Sequence, residues 1–321
     1  MKIAVLTSGG DSPGMNASIR AVVRQGIHEE SQILGFVEGF RGLTDNEAIE
    51  FTSPAVSEII DRGGTILRTS RYPEFLDEET RQKAVANLKN RGIESLIVIG
   101  GEGSMKGAHA LNKLGFKTIG VPASIDNDVF GTEFAIGFDT ALNTVIDVLK
   151  KLRDTASAHE RIFVIEVMGR KSGQIAVFAG LAGGADYICL PDTPATDTRQ
   201  LDRIFKLVEE RYRRGKTHTL IVVAEGAGPS FKVSEAIEIA TGREVRLSVL
   251  GHVQRGGSPS ALDRVLASRL GASAVKLAVA GVFDVMVGMV RGEISNTPLS
   301  EVCIGKVVVN PELTKLANVL S

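Results

Sequence analysis

The strongest constraint on this chain is a repeated alternation of short apolar runs, rich in β-branched residues, with longer amphipathic stretches. The runs are Ile3 to Leu6, Ser95 to Ile99, Thr118 to Val121, Ile162 to Val167, Tyr187 to Leu190 and Leu220 to Val223. A strand with one wet face would alternate apolar with polar, so continuous runs of this length read as parallel strands covered on both faces. Asn16 to His28, Glu79 to Arg91, Asp139 to Thr155 and Thr198 to Arg214 carry apolar residues at helical spacing, and the last opens on a Thr/Asp cap and closes in arginines before Gly215. Strand and helix in turn predict a doubly wound α/β architecture, whose ligands bind where strands end. A chain of 321 residues is longer than a single core usually supports, about 250 to 300 residues. Two such lobes are therefore expected, with the active site in the cleft between them.

Charge and composition narrow the partners. A net charge of -1 leaves no broad basic surface for nucleic acid, and no stretch reaches the roughly 18 apolar residues of a membrane span. Small-molecule ligands are expected, with no nucleic acid and no membrane. The opening MKIAVLTSGGD has one lysine and an apolar run broken by glycines, unlike a signal peptide. The two cysteines, Cys189 and Cys303, show neither disulfide nor zinc spacing, which suits a reducing cytoplasm. Many of the 35 glycines fall at strand ends. With no repeat, charge block or Pro/Ser tether, any domain boundary is a crossing of the chain.

Three strand-to-helix loops carry candidate chemistry. Thr7-Ser8-Gly9-Gly10-Asp11-Ser12-Pro13-Gly14 follows the first run; alone it reads either as a tight βα turn or as a cradle of backbone N–H groups for an anion. Gly100-Gly101-Glu102-Gly103-Ser104 repeats the device with an acid among the glycines. A carboxylate there would repel a phosphate unless a divalent cation intervenes, so magnesium is expected. Ala123-Ser124-Ile125-Asp126-Asn127-Asp128 sets two carboxylates two residues apart: one can take a proton from an attacking hydroxyl while the other helps hold metal. Arg71, Arg161, Arg170, Arg246 and His252 supply positive or proton-bearing groups for phosphate, although each alone would pass for an ordinary surface residue.

In this order and spacing, TSGGDSPGMN, RGGTILRTSRYPEF, GGEGS, SIDND, RDTASAHERIFVIEVMGRKSG and LGHVQRGGSP resemble the bacterial 6-phosphofructokinase family from residue 3 to about residue 285. The resemblance implies transfer of the γ-phosphoryl of ATP to fructose 6-phosphate. It also implies a nucleotide lobe of residues 1–137 with 255–304, and a sugar-phosphate lobe of residues 138–254 with 305–321. ATP phosphates would lie on Gly10, on Arg71 with Tyr72, and on Gly101, Glu102, Gly103 and Ser104. Asp126 would be the base, Ser124 would touch the transferred phosphoryl, Arg170 would stabilise its charge, and Glu102 with Asp128 would hold magnesium. The sugar phosphate would meet Met168, Gly169, Glu225, His252 and Arg255. Arg161 and Arg246 would reach in from a neighbouring subunit of a homotetramer. An effector site for ADP or phosphoenolpyruvate would include Arg20, Arg24, Arg153, Gly184, Asp186, Arg214, Lys216 and His218.

Several positions depart from the commonest pattern of that family. Glu102 replaces an aspartate and moves the carboxylate by about 1.5 Å. Ser124 replaces a threonine and keeps the hydroxyl. Ser53, Asp186 and Thr217 stand where arginine, glutamate and lysine are common, which removes positive charge from the effector site and implies weaker or altered control. The chain's tail, Pro311 to Leu320, has the apolar spacing of a short packing helix. Other readings also fit parts of this pattern. They are a pyrophosphate-driven transfer, which the small Gly103 and Ala123 oppose; tagatose 6-phosphate as acceptor; an NAD kinase, which would need no SIDND or GHVQRGG segment; and a non-catalytic nucleotide-binding regulator.

Overall fold

The computed structural model describes residues 1–320. Its strands are β1 (Lys2–Ser8), β2 (Gln32–Phe36), β3 (Ala48–Phe51), β4 (Ser95–Gly100), β5 (Thr118–Pro122), β6 (Ile162–Val167), β7 (Tyr187–Cys189), β8 (Thr219–Ala224), β9 (Val245–Val249), β10 (Val285–Val290) and β11 (Glu293–Pro298). The helices are α1 (Met15–His28), α2 (Phe40–Asp45), α3 (Glu78–Asn90), α4 (Glu102–Lys113), α5 (Phe138–His159), α6 (Gln174–Ala182), α7 (Thr198–Arg213), α8 (Ser230–Thr241), α9 (Ala261–Val279), α10 (Leu299–Ile304) and α11 (Pro311–Leu320). The chain divides into two compact units, Met1–Thr140 with Arg255–Val307, and Ala141–Gln254 with Val308–Ser321.

The first unit is built on a seven-stranded sheet in the order β11-β10-β5-β4-β1-β2-β3. Only the two edge pairs, β2 with β3 and β10 with β11, are antiparallel. Successive residues of a strand point to opposite faces, and the core follows that rule. Ile3 and Val5 join the layer under α1 and α9, with Ile19, Val22, Leu270 and Val275, whereas Ala4 and Leu6 join the layer under α3, α4 and α10, with Leu88, Leu111 and Leu299. Burial on both faces explains why the central strands are apolar throughout. It also explains why the apolar reading passes over β3 and β11, edge strands with several exposed residues.

The second unit carries a four-stranded, wholly parallel sheet in the order β7-β8-β6-β9. Ile162, Val164, Ile221 and Val223 pack there against Ile204 and Val208 of α7 and Val233 and Ile237 of α8. Asp197 caps α7 by accepting from the Arg199 N–H at 2.9 Å, and the tail helix α11 packs on α6.

In both sheets, the strand order reverses where functional loops emerge. From β1 the chain runs to β2 on one side, then returns to lay β4 on the other, so the carboxyl ends of β1 and β4 form a topological switch point. Ser8 and Gly100 are register partners at that edge.

A buried carboxylate secures the start of α5. Asp263 of α9, 1% exposed, accepts hydrogen bonds from the N–H groups of Gly137 and Thr140, each at 2.8 Å, and from the Thr140 hydroxyl at 2.5 Å. Burial pushes its carboxyl up while the three hydrogen bonds oppose that shift. Asp263→Ala would strand those donors and is expected to cost about 2 to 4 kcal/mol of stability. Urea unfolding followed by circular dichroism would read this as a lower midpoint at unchanged slope, and an unmoved midpoint would contradict it.

Candidate active site

The loops after β1 and β4 interlock through Ser104. A Cβ on Gly9 would touch its hydroxyl oxygen at 3.4 Å, and one on Gly100 would collide with that oxygen and with the Ser8 carbonyl. Only glycine permits this approach. α4 opens on Gly101, and no side chain caps it among the described residues, so its first N–H groups are available to an anion at the positive end of the helix dipole. Beside Gly103 the space is open, with nothing within 4 Å of an added Cβ.

The segment carrying Arg71 is stitched to the first loop. The Thr7 hydroxyl donates to the Arg68 carbonyl at 2.8 Å, the Thr69 hydroxyl to Gly9 at 2.7 Å, and the Ser70 hydroxyl to Glu38 at 2.8 Å. Arg71 is exposed, and Tyr72 packs half-buried on the core. Arg255 lies over the same loop: its guanidinium carbon would sit 3.1 Å from a Cβ on Gly10, and its Nη1 donates to the Asp11 carbonyl at 3.2 Å. The structure thus groups Arg255, expected among the sugar-phosphate residues, with Gly10 in the first unit.

The paired-acid loop leaves β5 next to β4, where Gly100 and Pro122 are register partners. Its entry is fixed by the Ala123 N–H donating to Gly100 at 2.9 Å and the Ser124 N–H donating to Ile136 at 3.1 Å. The Ser124 hydroxyl donates to Asp128 Oδ1 at 2.8 Å, closing a short turn that carries the half-buried Asp126. The same Ile136 carbonyl also accepts from the Ser12 hydroxyl at 2.5 Å, so one oxygen joins the first and third loops.

For magnesium the donor chemistry is the test. No group of three or more His, Cys, Asp or Glu side chains is arranged to hold a metal among the described residues. Magnesium keeps several waters and is commonly held by one or two carboxylates together with phosphate oxygens. Glu102, 40% exposed and paired with Lys106 one turn along α4, and Asp128, hydrogen-bonded to Ser124, fit that sparse type of site.

In the second unit, the carboxyl ends of β6 and β8 bring Met168, Gly169, Arg170 and Glu225 together. Gly169 turns at φ 126°, the left-handed region that glycine tolerates, and its carbonyl accepts from the Gly226 N–H at 3.2 Å. Arg170 Nε lies 3.5 Å from Glu225 Oε1. Buried Gln254 accepts from the Met168 N–H at 3.2 Å and donates to Gly251 at 3.0 Å, which anchors the turn bearing the exposed His252. Arg161 and Arg246 lie elsewhere. Arg161 precedes β6, and Arg246 pairs in register with Phe163, at the opposite end of the sheet. At about 3.3 Å per residue, Arg161 is roughly 20 Å from Met168. Both arginines hold Glu244, Arg161 Nε at 2.7 Å, and the Arg161 hydrogen bond is the main cause that keeps the Glu244 carboxyl below its usual range.

The residues expected at an effector site divide between the units. Arg20 and Arg24 stand one turn apart on α1. In the second unit, Arg153 donates to the Gly184 carbonyl at 2.8 Å, while Asp186 accepts from the Leu220 N–H at 2.7 Å and pairs with Arg211 at 2.8 Å. Burial pushes the Asp186 carboxyl up and is the largest cause lowering His218. Arg214 pairs with Glu210, and Lys216 is exposed. Arg211 and Asn127 escaped the sequence reading. Nothing local marks Arg211, whose partner is far away in the chain. Asn127 carried one signal, an asparagine in a tight loop, the kind of residue that tolerates a left-handed backbone.

Glycine-lined helix N-termini at a switch point, with a carboxylate loop beside them, define an α/β protein built to handle phosphate groups. The family model described as Phosphofructokinase matches residues 2–278, and the chain belongs to the phosphofructokinase family. It is 50% identical over 320 residues to the ATP-dependent 6-phosphofructokinase of Bacillus subtilis (strain 168), covering 100% of this chain and 99% of that protein. It is 48% identical to ATP-dependent 6-phosphofructokinase 1 of Clostridium perfringens, with the same coverage. Among solved structures, phosphofructokinase from Saccharomyces cerevisiae superposes with a TM-score of 0.87 at 34% identity, covering 99% of this chain and 46% of the yeast chain.

Proposed function

We propose that this chain transfers the γ-phosphoryl of ATP to the 1-hydroxyl of fructose 6-phosphate, giving fructose 1,6-bisphosphate and ADP. The observation that carries this is the packing of the acid loop of Asp126 against two glycine loops at the switch point of one sheet. Phosphoryl transfer needs little more than positioning and charge, and these loops supply both. Gly10, Arg71, Tyr72 and Gly101 to Ser104 bind the ATP phosphates. Asp126 takes the proton from the attacking hydroxyl. Ser124 contacts the transferred phosphoryl, its hydroxyl oriented by Asp128, and Arg170 stabilises the charge that develops. Magnesium, when bound with ATP, neutralises phosphate charge, and Glu102 with Asp128 would hold it. The open space beside Gly103 and the small Ala123 favour ATP over pyrophosphate as donor.

The first unit is the nucleotide lobe and the second the sugar-phosphate lobe, where Met168, Gly169, Glu225 and His252 bind the sugar phosphate, with Arg255. Arg161 and Arg246 complete that site in a neighbouring subunit of a homotetramer. Their place at the far end of the β6 sheet from Met168 supports this, because a side chain cannot span that distance within one chain. Arg20, Arg24, Arg153, Gly184, Asp186, Arg214, Lys216 and His218 form an effector site whose reduced charge at Ser53 and Thr217 weakens its control. Among the described residues no helix is long and apolar enough to cross a membrane, and both cysteines are free. We place the enzyme in the cytoplasm.

Asp126→Ala is expected to lower kcat by about 10²- to 10⁴-fold. A coupled assay for fructose 1,6-bisphosphate with magnesium should show turnover with ATP and none with pyrophosphate, and the reverse preference would overturn the reading of Gly103 and Ala123. Shared sites are tested by complementation. Asp126→Ala and the Arg161→Ser/Arg246→Ser double variant, each inactive, should regain activity when dissociated and reassembled together. A mixture no more active than its parts would exclude shared sites. For the effector site, phosphoenolpyruvate should inhibit weakly, and strong sigmoidal inhibition in a titration at fixed fructose 6-phosphate would contradict weakened control.

A further inference from the structure

Between the two acids of the third loop stands a residue with no role in the chemistry above. Asn127 is 6% exposed and adopts φ 47°, a left-handed backbone that asparagine tolerates better than other residues with a side chain. Its side-chain amide uses both ends. Nδ2 donates to the Glu133 carbonyl at 3.0 Å, and Oδ1 accepts from the Ala135 N–H at 2.8 Å. The segment it grips is itself held at both ends. The Glu133 N–H donates to the Met289 carbonyl at 2.8 Å, and the Ile136 N–H donates to Pro122 at 3.1 Å. The Asn127 N–H turns back to the Ser124 carbonyl at 3.3 Å.

We propose that Asn127 is a positioning residue that fixes Asp126 and Asp128 for proton abstraction and metal binding, by clamping the loop between them to the 133–136 strap. This rests on the reading of Asp126 as the base. Asparagine is the side chain this place requires, because the strap offers one acceptor and one donor. An aspartate would face the Glu133 carbonyl with an oxygen, a glycine would keep the backbone and lose both bonds, and a leucine would leave buried partners unpaired. The amide bonds only the backbone of the strap and occupies neither carboxylate. Misplacing a reacting group by about 1 Å can cost on the order of 100-fold in rate.

The test compares Asn127→Gly, Asn127→Asp and Asp126→Asn in the full-length enzyme. Asn127→Gly is expected to lower kcat about 10- to 100-fold while both KM values stay within about threefold. That split between a lowered kcat and unmoved KM values is what a merely less stable enzyme would not show. Asn127→Asp keeps the left-handed turn and the Ala135 bond, and should fall between Asn127→Gly and the parent in kcat. It also serves as the readout should the glycine variant fold poorly. Parental kcat in Asn127→Asp and in any folded Asn127→Gly, with Asp126→Asn inactive, would overturn the positioning role and leave the base assignment standing. Substantial turnover by Asp126→Asn would remove both.

Discussion

The parallel pairing of β1 with β4 is the contact on which the rest of this protein depends. It aligns Ser8 with Gly100 and sends the chain away on opposite sides, so two helix N-termini come to the same edge of one sheet. Parallel strands need long crossovers, and the layers that bury Ile3 and Val5 on one face and Ala4 and Leu6 on the other hold them in register. A side chain at Gly100 would drive Ser104 and the Ser8 carbonyl apart, so the close approach of the two loops and the strand register are one requirement.

Around that edge, buried polar groups are shared rather than duplicated. The Ile136 carbonyl serves Ser12 and Ser124 together, and Asp263 serves Gly137 and Thr140 just after it. In a water-poor interior each unmet donor or acceptor is costly, so a shared oxygen couples the loops that use it. The stretch from Pro122 to Thr140 is therefore tied down at several points, and preorganisation of this kind is what a reaction based on positioning and charge needs.

The second unit solves a similar problem with different means. Gly169 and Gly226 bring two strand-end loops into backbone contact, and Gln254 carries the turn of His252 to Met168. Its far end collects Arg161 and Arg246 on Glu244.

Much of this was legible in the residues themselves. Central strands announce themselves because burial on both faces demands continuous apolar runs, helices because their stripes repeat at a helical period, and the loops of Gly10, Glu102 and Asp126 because glycines and acids stand just where such runs stop. These signals come from neighbours a few residues apart. Edge strands β3 and β9 show mixed polarity because solvent reaches them, and nothing in their own composition distinguishes them from loops. The order of the strands, the partnership of Asp186 with Arg211, the grip of Asn127 on the 133–136 strap and the placement of Arg255 over Gly10 were decided only by tertiary structure. Each joins groups whose meeting depends on which faces the whole chain can bury at once, a condition that no local stretch of sequence contains.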